Sequence, residues 1–173
     1  EMLETELELA IGEGAVLDGV VAAPLSQAGA LWSLRENISE AQKREGVSIK
    51  HDISVPVSAI PVFIQQAGAR LESAYPGVRI VCFGHLGDGN LHYNQSRPQQ
   101  GENDAFIACT AEVNRIVHDL VRDSGGSISA EHGIGQLKRD ILAIYKQPVE
   151  LEMMRRIKDV FDPCGMMNPG KVL

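Results

Sequence analysis

The sequence predicts an α+β fold, an antiparallel sheet covered by helices, and three observations carry that prediction. Residues 81–95 read Val-Cys-Phe-Gly-His-Leu-Gly-Asp-Gly-Asn-Leu-His-Tyr-Asn-Gln, two extended stretches broken by Gly87-Asp88-Gly89-Asn90. Gly and Asn supply the positive φ angles of a tight connection, so this is a β-hairpin with a four-residue loop. Residues 47–55 alternate, with Val47, Ile49 and Ile53 on one parity and Lys50 and Asp52 on the other, as a half-buried strand requires. Residues 104–122 set Phe106, Cys109, Val113, Ile116, Val117 and Leu120 on one helical stripe. Strands and helices alternate along the chain, but the hairpin is antiparallel, which favours α+β over a doubly wound parallel sheet.

Taken in order, residues 2–11 repeat Met2, Leu3, Leu7, Leu9 and Ile11 at helical spacing and stop at Gly12 and Gly14. The apolar run 15–23 predicts a short strand. Pro24 and Ser26 open a helix in which Leu25, Ala28, Leu31, Trp32, Arg35, Ile38 and Ala41 recur, and Gly46 ends it. Ser58 is the expected N-cap of a helix whose apolar face is Ile60, Phe63, Ile64, Ala67 and Leu71. Pro76-Gly77 makes a turn into the hairpin, and residues 96–104 are a polar loop. Gly125-Gly126 end the long helix, and Ser127-Ile128-Ser129 lead as a short extended piece into Glu131-His132. A helix follows Gly135 to about Tyr145, and another runs from Pro148 to Phe161, where Asp162-Pro163 stops it. The tail 164–173 is irregular, and Met153, Met154, Met166 and Met167 read as core filler.

With 173 residues, 44% hydrophobic and 23% charged, the chain is long enough for one domain with a sizeable core. A net charge of −7, without a Lys/Arg cluster and with few aromatics, argues against nucleic acid and anionic membranes as partners. The apolar runs are too short for a transmembrane helix, and the first residues read as a helix rather than a signal peptide. Three widely spaced cysteines, Cys82, Cys109 and Cys164, form no disulfide framework and suit a reducing compartment. The start at Glu1, in the middle of a helical pattern, reads as a piece of a longer protein.

The hairpin carries the candidate chemistry. If Leu86 faces Leu91, His85 faces His92 and Phe83 faces Asn94, and same-face partners stand roughly 5 Å apart, a spacing at which two imidazoles share a metal ion. Glu131 and His132 add a carboxylate and a third imidazole, and two His with one Glu is a zinc ligand set that leaves a position open. Neighbours on an extended segment point to opposite sides, so the pair divides into one ligand and one base, a neutral imidazole suiting the base near pH 7. Asp88 serves the turn through side-chain-to-backbone bonds. Arg35 and Lys50 would recognise carboxylates if they converged on the metal. The residues alone leave open a stand-alone zinc hydrolase, and a non-catalytic domain whose hairpin histidines are structural.

Gly84-His85-Leu86-Gly87-Asp88-Gly89-Asn90-Leu91-His92, then Ala130-Glu131-His132-Gly133-Ile134-Gly135, then Phe161-Asp162-Pro163 to Asn168-Pro169-Gly170-Lys171 resemble the C-terminal part of FAD-linked D-2-hydroxyacid dehydrogenases. That family includes D-lactate and D-2-hydroxyglutarate dehydrogenases and the FAD subunit of glycolate oxidase. Arg35-Glu36 and Lys50-His51-Asp52 extend the likeness toward the N-terminus. The resemblance implies that residues 1–173 are a single substrate or cap domain of ferredoxin-like type, with an FAD-binding domain lying outside this chain. It implies zinc on His85, His92 and Glu131, His132 as catalytic base, and substrate contacts from Arg35, Lys50 and Asn94. Ser39 stands where the D-2-hydroxyglutarate branch usually carries a substrate-binding Thr, and Asn168 belongs to a tail that returns to the flavin. The implied reaction oxidises a D-2-hydroxy acid to a 2-oxo acid, the metal acting as Lewis acid and FAD taking the hydride. The fragment alone should be inactive. The implied partners are a small anionic 2-hydroxy acid, the FAD domain, an electron acceptor and a second copy in a homodimer. The implied compartment is a bacterial cytosol, or a mitochondrial matrix in a eukaryote.

Overall fold

The computed structural model describes residues 2–173, which divide into two compact units, one up to Arg44 and one from Glu45 onward. In the first, α1 (Met2–Gly12), α2 (Leu25–Glu36) and α3 (Ile38–Arg44) are small helices. α1 and α2 bury none of their residues, and Trp32 and Leu34 are exposed, so the helical spacing here does not mark a core. The single helix expected from Pro24 to Gly46 breaks at Asn37, a residue type of low helix propensity, into α2 and α3. The run 15–23 forms no strand, since among the described residues it has no ladder partner for its N–H and C=O groups.

The second unit holds the sheet. β1 (Ser48–Ile49) and β2 (Asp52–Ser54) lie end to end along one edge of β4 (Asn90–Ser96), and β3 (Arg79–His85) lies along the other, all antiparallel to β4. One constant register joins β1 and β2 to β4, Ser48 facing Ser96 and Ser54 facing Asn90. Outside β2, Ser54 and Ser127 exchange two backbone hydrogen bonds of 3.0 and 2.8 Å and bring residues 126–132 alongside the sheet. The α+β class predicted from the sequence is the one observed.

One face of the sheet is the core. Ile49, Ile53, Leu91 and Tyr93 pack against α4 (Ile60–Ala74) and α6 (Thr110–Asp123). α4 contributes Ile60, Phe63, Ala67 and Leu71, while α6 contributes Val113, Val117, Leu120 and Val121, each at helical spacing. Phe63 meets Tyr93 edge-on at 5.4 Å, and burial of each large side chain contributes roughly 1.5–3 kcal/mol. Ser58 caps nothing; it sits in a short 3₁₀ turn, and α4 starts after Ala59, with a proline in its first turn. The helix expected over 104–122 is two, α5 (Asn103–Ala108) and α6. Between them Cys109 makes a tight i→i−3 bond to Phe106, and the Thr110 hydroxyl takes the Ile107 carbonyl at 2.6 Å. After α7 (Arg139–Tyr145), α8 (Pro148–Phe161) begins with a capping box in which Gln147 and Glu150 satisfy each other's backbone N–H groups. Met153, Met166 and Met167 are exposed on α8 and the tail, not core filler.

Two histidines lie inside this core. His51, between β1 and β2, and His118, on α6, meet edge-on at 5.3 Å, and Tyr145 covers the other side of His118 at 5.6 Å. Burial, with His118 and then Lys138 nearby, pushes His51 down to about 3, and burial with Lys138 pushes His118 down to about 4. Both rings are therefore neutral in the folded chain. Their folded values lie below the unfolded value near 6.5, so the unfolded chain takes up protons first as pH falls. Stability is then lost from about pH 6.5 downward, by about 1.4 kcal/mol per pH unit for each ring, until His118 and then His51 protonate in place. Urea unfolding between pH 7.5 and 4.5 should show this slope, and His118→Leu should remove about half of the part due to the pair. A slope unchanged by that substitution would contradict it.

Gly89 closes the turn onto β2. Its φ is +75°, its carbonyl accepts the Val55 N–H at 3.1 Å, and a Cβ there would stand 2.0 Å from the Val55 oxygen. Neither the angle nor the space admits a side chain. Gly89→Ala should cost at least about 2 kcal/mol in the urea midpoint followed by circular dichroism; a cost below 0.5 kcal/mol, roughly that of an ordinary surface change, would show that the turn relaxes elsewhere.

Candidate metal and acid-base site

The sheet face opposite the helices carries the polar residues, and the strand register places them in rows. Asp52, His92 and Phe83 form one row across three strands, and Ser54, Asn90 and His85 form the next. This corrects the expected pairing: His85 faces Asn90, Phe83 faces His92 and Val81 faces Asn94. The loop is Leu86 to Gly89, and the displacement is two residues, which preserves parity. His85 and His92 thus do share a face, as diagonal rather than direct neighbours. Phe83 packs on the His92 ring with centroids 4.9 Å apart.

Glu131 reaches this face from the segment beside β2. One carboxylate oxygen is 3.4 Å from His85 Nδ1 and the other 3.8 Å from His92 Nε2. Two ligands bound 2.0–2.1 Å from one tetrahedral zinc stand about 3.3 Å apart. Two imidazoles and a carboxylate are donors that suit a small divalent ion, but each imidazole meets a different oxygen of Glu131, and the three residues do not bring one ligand atom each within 4.8 Å of one another, so the two rings would have to draw together around an ion. Asn90, buried, donates its Nδ2 to Glu131 in a short hydrogen bond and lies 3.5 Å from His85 Nδ1, orienting both groups. Asp88 accepts the Asn90 N–H at 3.0 Å, the turn role expected of it, while its second oxygen stands 3.7 Å from His85 Nδ1.

His132 does not turn away from Glu131's neighbours. Its ring centroid is 5.9 Å from that of His92, and its Nδ1 is 3.9 Å from Asp52 Oδ2. Ligand-type atoms of Asp52, His92 and His132 lie within 4.8 Å of one another. The side chains grade from the floor outward: Asp52 is 3% exposed, His92 18%, Glu131 44%, His85 53% and His132 70%. The opening is on the side of His85 and His132.

Burial pushes the Asp52 carboxyl up, but the N–H groups of His132 and Glu131, the facing His132 ring and the Ala130 N–H outweigh it and hold it below the ordinary carboxylate range. Lys138 donates to the carbonyls of Ile128 at 2.7 Å and Asp52 at 3.4 Å, tying β2 to the outer segment. Asp52, Asn90 and Lys138 are the site residues that the sequence did not single out. The parity of residues 47–55 does put Asp52 on the polar side, but only the β2–β4 register, set between segments forty residues apart, brings it to His92.

Of the remaining expected site residues, Lys50 is exposed between β1 and β2, on the parity of Asp52. Asn94 is buried and its Oδ1 accepts the His51 N–H at 3.2 Å, filling the break between β1 and β2. Arg35, half-buried in the last turn of α2, and Ser39, exposed in α3, belong to the N-terminal unit. Asn168 has a φ of +48° in the tail, whose Val172 N–H binds the Gly135 carbonyl at 2.8 Å, close in sequence to His132. Among the described residues no helix is long and apolar enough to cross a membrane.

Comparison with known proteins gives a consistent picture. The family described as FAD linked oxidases, C-terminal domain, matches residues 1–172. A D-2-hydroxyglutarate dehydrogenase of Stutzerimonas stutzeri is 46% identical over 165 residues, covering 95% of this chain and 35% of that protein. The mitochondrial D-2-hydroxyglutarate dehydrogenases of Arabidopsis thaliana and Bos taurus are 37% and 36% identical over the whole chain, each aligned over 30% of its own length. The chain spans about a third of the length of the curated relatives it matches. A polar sheet face with its histidines and outer carboxylate, and a match running through the tail, thus meet in one assignment: the chain belongs to the family of C-terminal domains of FAD linked oxidases.

Proposed function

We propose that this chain is the substrate- and metal-binding part of an FAD-dependent dehydrogenase that oxidises a D-2-hydroxy acid, D-2-hydroxyglutarate by the names of its relatives, to the 2-oxo acid. The observation that carries the reading is Glu131, its two oxygens 3.4 and 3.8 Å from the hairpin imidazoles, with His132 alongside. His85, His92 and Glu131 would hold a divalent ion, zinc being the ion that suits this set. When bound, the metal would supply Lewis acidity and the flavin of the longer enzyme would supply a hydride acceptor.

This chain's residues do the rest. His132 is the base. His132 Nδ1 lies 3.9 Å from Asp52 Oδ2, so an Nδ1–H tautomer would place its proton on the side of the carboxylate and leave Nε2 to accept the 2-hydroxyl proton, on the most exposed side chain of the cluster. Phe83 holds the His92 ring at its angle and keeps water from that side. Lys50 provides the cation for a substrate carboxylate, which favours dicarboxylates over neutral alcohols. The flavin-binding part belongs to the remainder of a longer enzyme, and this chain alone transfers no hydride.

The test is single-turnover reduction of the flavin in the full-length protein. D-2-hydroxyglutarate should bleach the flavin, and the L-enantiomer should not. His132→Ala should slow the bleaching by roughly 10²–10⁴-fold while changing substrate affinity far less. No bleaching by any D-2-hydroxy acid, or an unchanged rate in His132→Ala, would contradict the reading.

A further inference from the structure

We infer, on the basis of the metal site and the His132 base proposed above, that Asp52 is the positioning residue of this centre: it fixes the backbone of residues 130–132 so that Glu131 and His132 meet His92 in one place. Three consecutive backbone N–H groups, of Ala130, Glu131 and His132, converge on its Oδ2 at 3.1, 3.1 and 2.9 Å, and the Ser129 hydroxyl stands 3.2 Å away. Glu131 N–H also lies 3.2 Å from Oδ1. Successive N–H groups turned to one point form an anion-binding concavity, and here the anion is supplied by the neighbouring strand. Residues 130–132 have no ladder partner, so without Asp52 their donors would face solvent and their conformation would be free.

The geometry separates this role from that of a ligand. A carboxylate oxygen of Asp52 lies within 4.8 Å of ligand atoms of both His92 and His132, and Oδ2 is 3.9 Å from His132 Nδ1. Three N–H groups already occupy that oxygen, and the Ser129 hydroxyl beside it is shared with the Gly133 carbonyl at 3.0 Å, whereas Glu131 presents both oxygens to the imidazoles. Asp52 is 3% exposed and lies directly across from His92 in the strand ladder, so its own position is fixed by the sheet. Lys138 reinforces the arrangement from behind by binding the Asp52 and Ile128 carbonyls. The rigid sheet thereby determines where an irregular segment places its two functional side chains, and the Asp52 charge faces His132 Nδ1 as well.

Asp52→Asn keeps the shape and removes the charge, Asp52→Ala removes the acceptor, and Ser129→Ala removes one donor. In the full-length protein we would measure Zn²⁺ affinity by chelator competition, amide hydrogen exchange by peptide, and kcat and KM for D-2-hydroxyglutarate. Asp52→Asn should retain one zinc with affinity weakened roughly 10–100-fold, and exchange should quicken in residues 129–133 while residues 79–96 stay protected. It should lower kcat more than it raises KM. Ser129→Ala should move affinity and exchange the same way by a smaller factor, and decides the matter if Asp52→Ala does not fold. Unchanged exchange at 129–133 would overturn the inference, and so would complete metal loss with that segment still protected, the signature of a direct ligand. Faster exchange throughout the sheet would overturn it too, as a merely structural role. If the wild type binds no zinc, the metal site fails, and the exchange data still decide whether Asp52 holds the segment.

Discussion

The antiparallel register of β4 with the strands on both sides is the constraint on which the site depends. Side chains alternate across a strand, so a slip of one residue would turn His92 toward α4 and α6 and bring Tyr93 into water. The core forbids it. Tyr93, Leu91 and Ile53 are locked among Phe63, Leu71 and Val117, and that packing fixes which parity of β4 meets solvent. Asp52, His92 and Phe83 align as a consequence of burying their neighbours. The sheet gathers these polar side chains on its open face without a separate device.

The two faces treat histidine in opposite ways. His51 and His118 sit among apolar side chains beside Lys138, where a proton is expensive, and they stay neutral structural members. His85, His92 and His132 stand on the open face next to Glu131 and Asp52, where an imidazole can bind a cation or exchange a proton. Residue type alone did not distinguish the groups; parity, adjacency to carboxylates and exposure did. His51 and Asp52 are neighbours in sequence that turn to opposite faces of the sheet, and they mark the boundary between the two environments.

Much of this was legible in the sequence where the information was local. Period-two alternation marked residues 47–55 as extended, which the structure divides into β1 and β2, and the stripe from Phe106 to Leu120 marked a helical cover, which it divides into α5 and α6. The hairpin histidines could be assigned to one face because a two-residue error in register leaves parity intact, although the named partners were wrong. What could not be read depended on contacts between distant segments. The pairing of β2 with β4, the delivery of Glu131 beside His85 and Asn90, and the convergence of residues 130–132 on Asp52 join parts of the chain forty to eighty residues apart. Helix spacing also misled at α2, where the period is present but no residue is buried, because amphipathic periodicity reports a face suited to packing and not that this chain packs it.

The central claim is that the polar sheet face holds one metal ion through His85, His92 and Glu131. Elemental analysis of the purified chain beside its His85→Ala/His92→Ala variant tests it most directly. About one equivalent of zinc in the wild type, lost in the variant while the circular dichroism spectrum is retained, is the predicted result. Zinc kept by the variant would contradict the account, as would its absence from a wild-type protein dialysed against zinc.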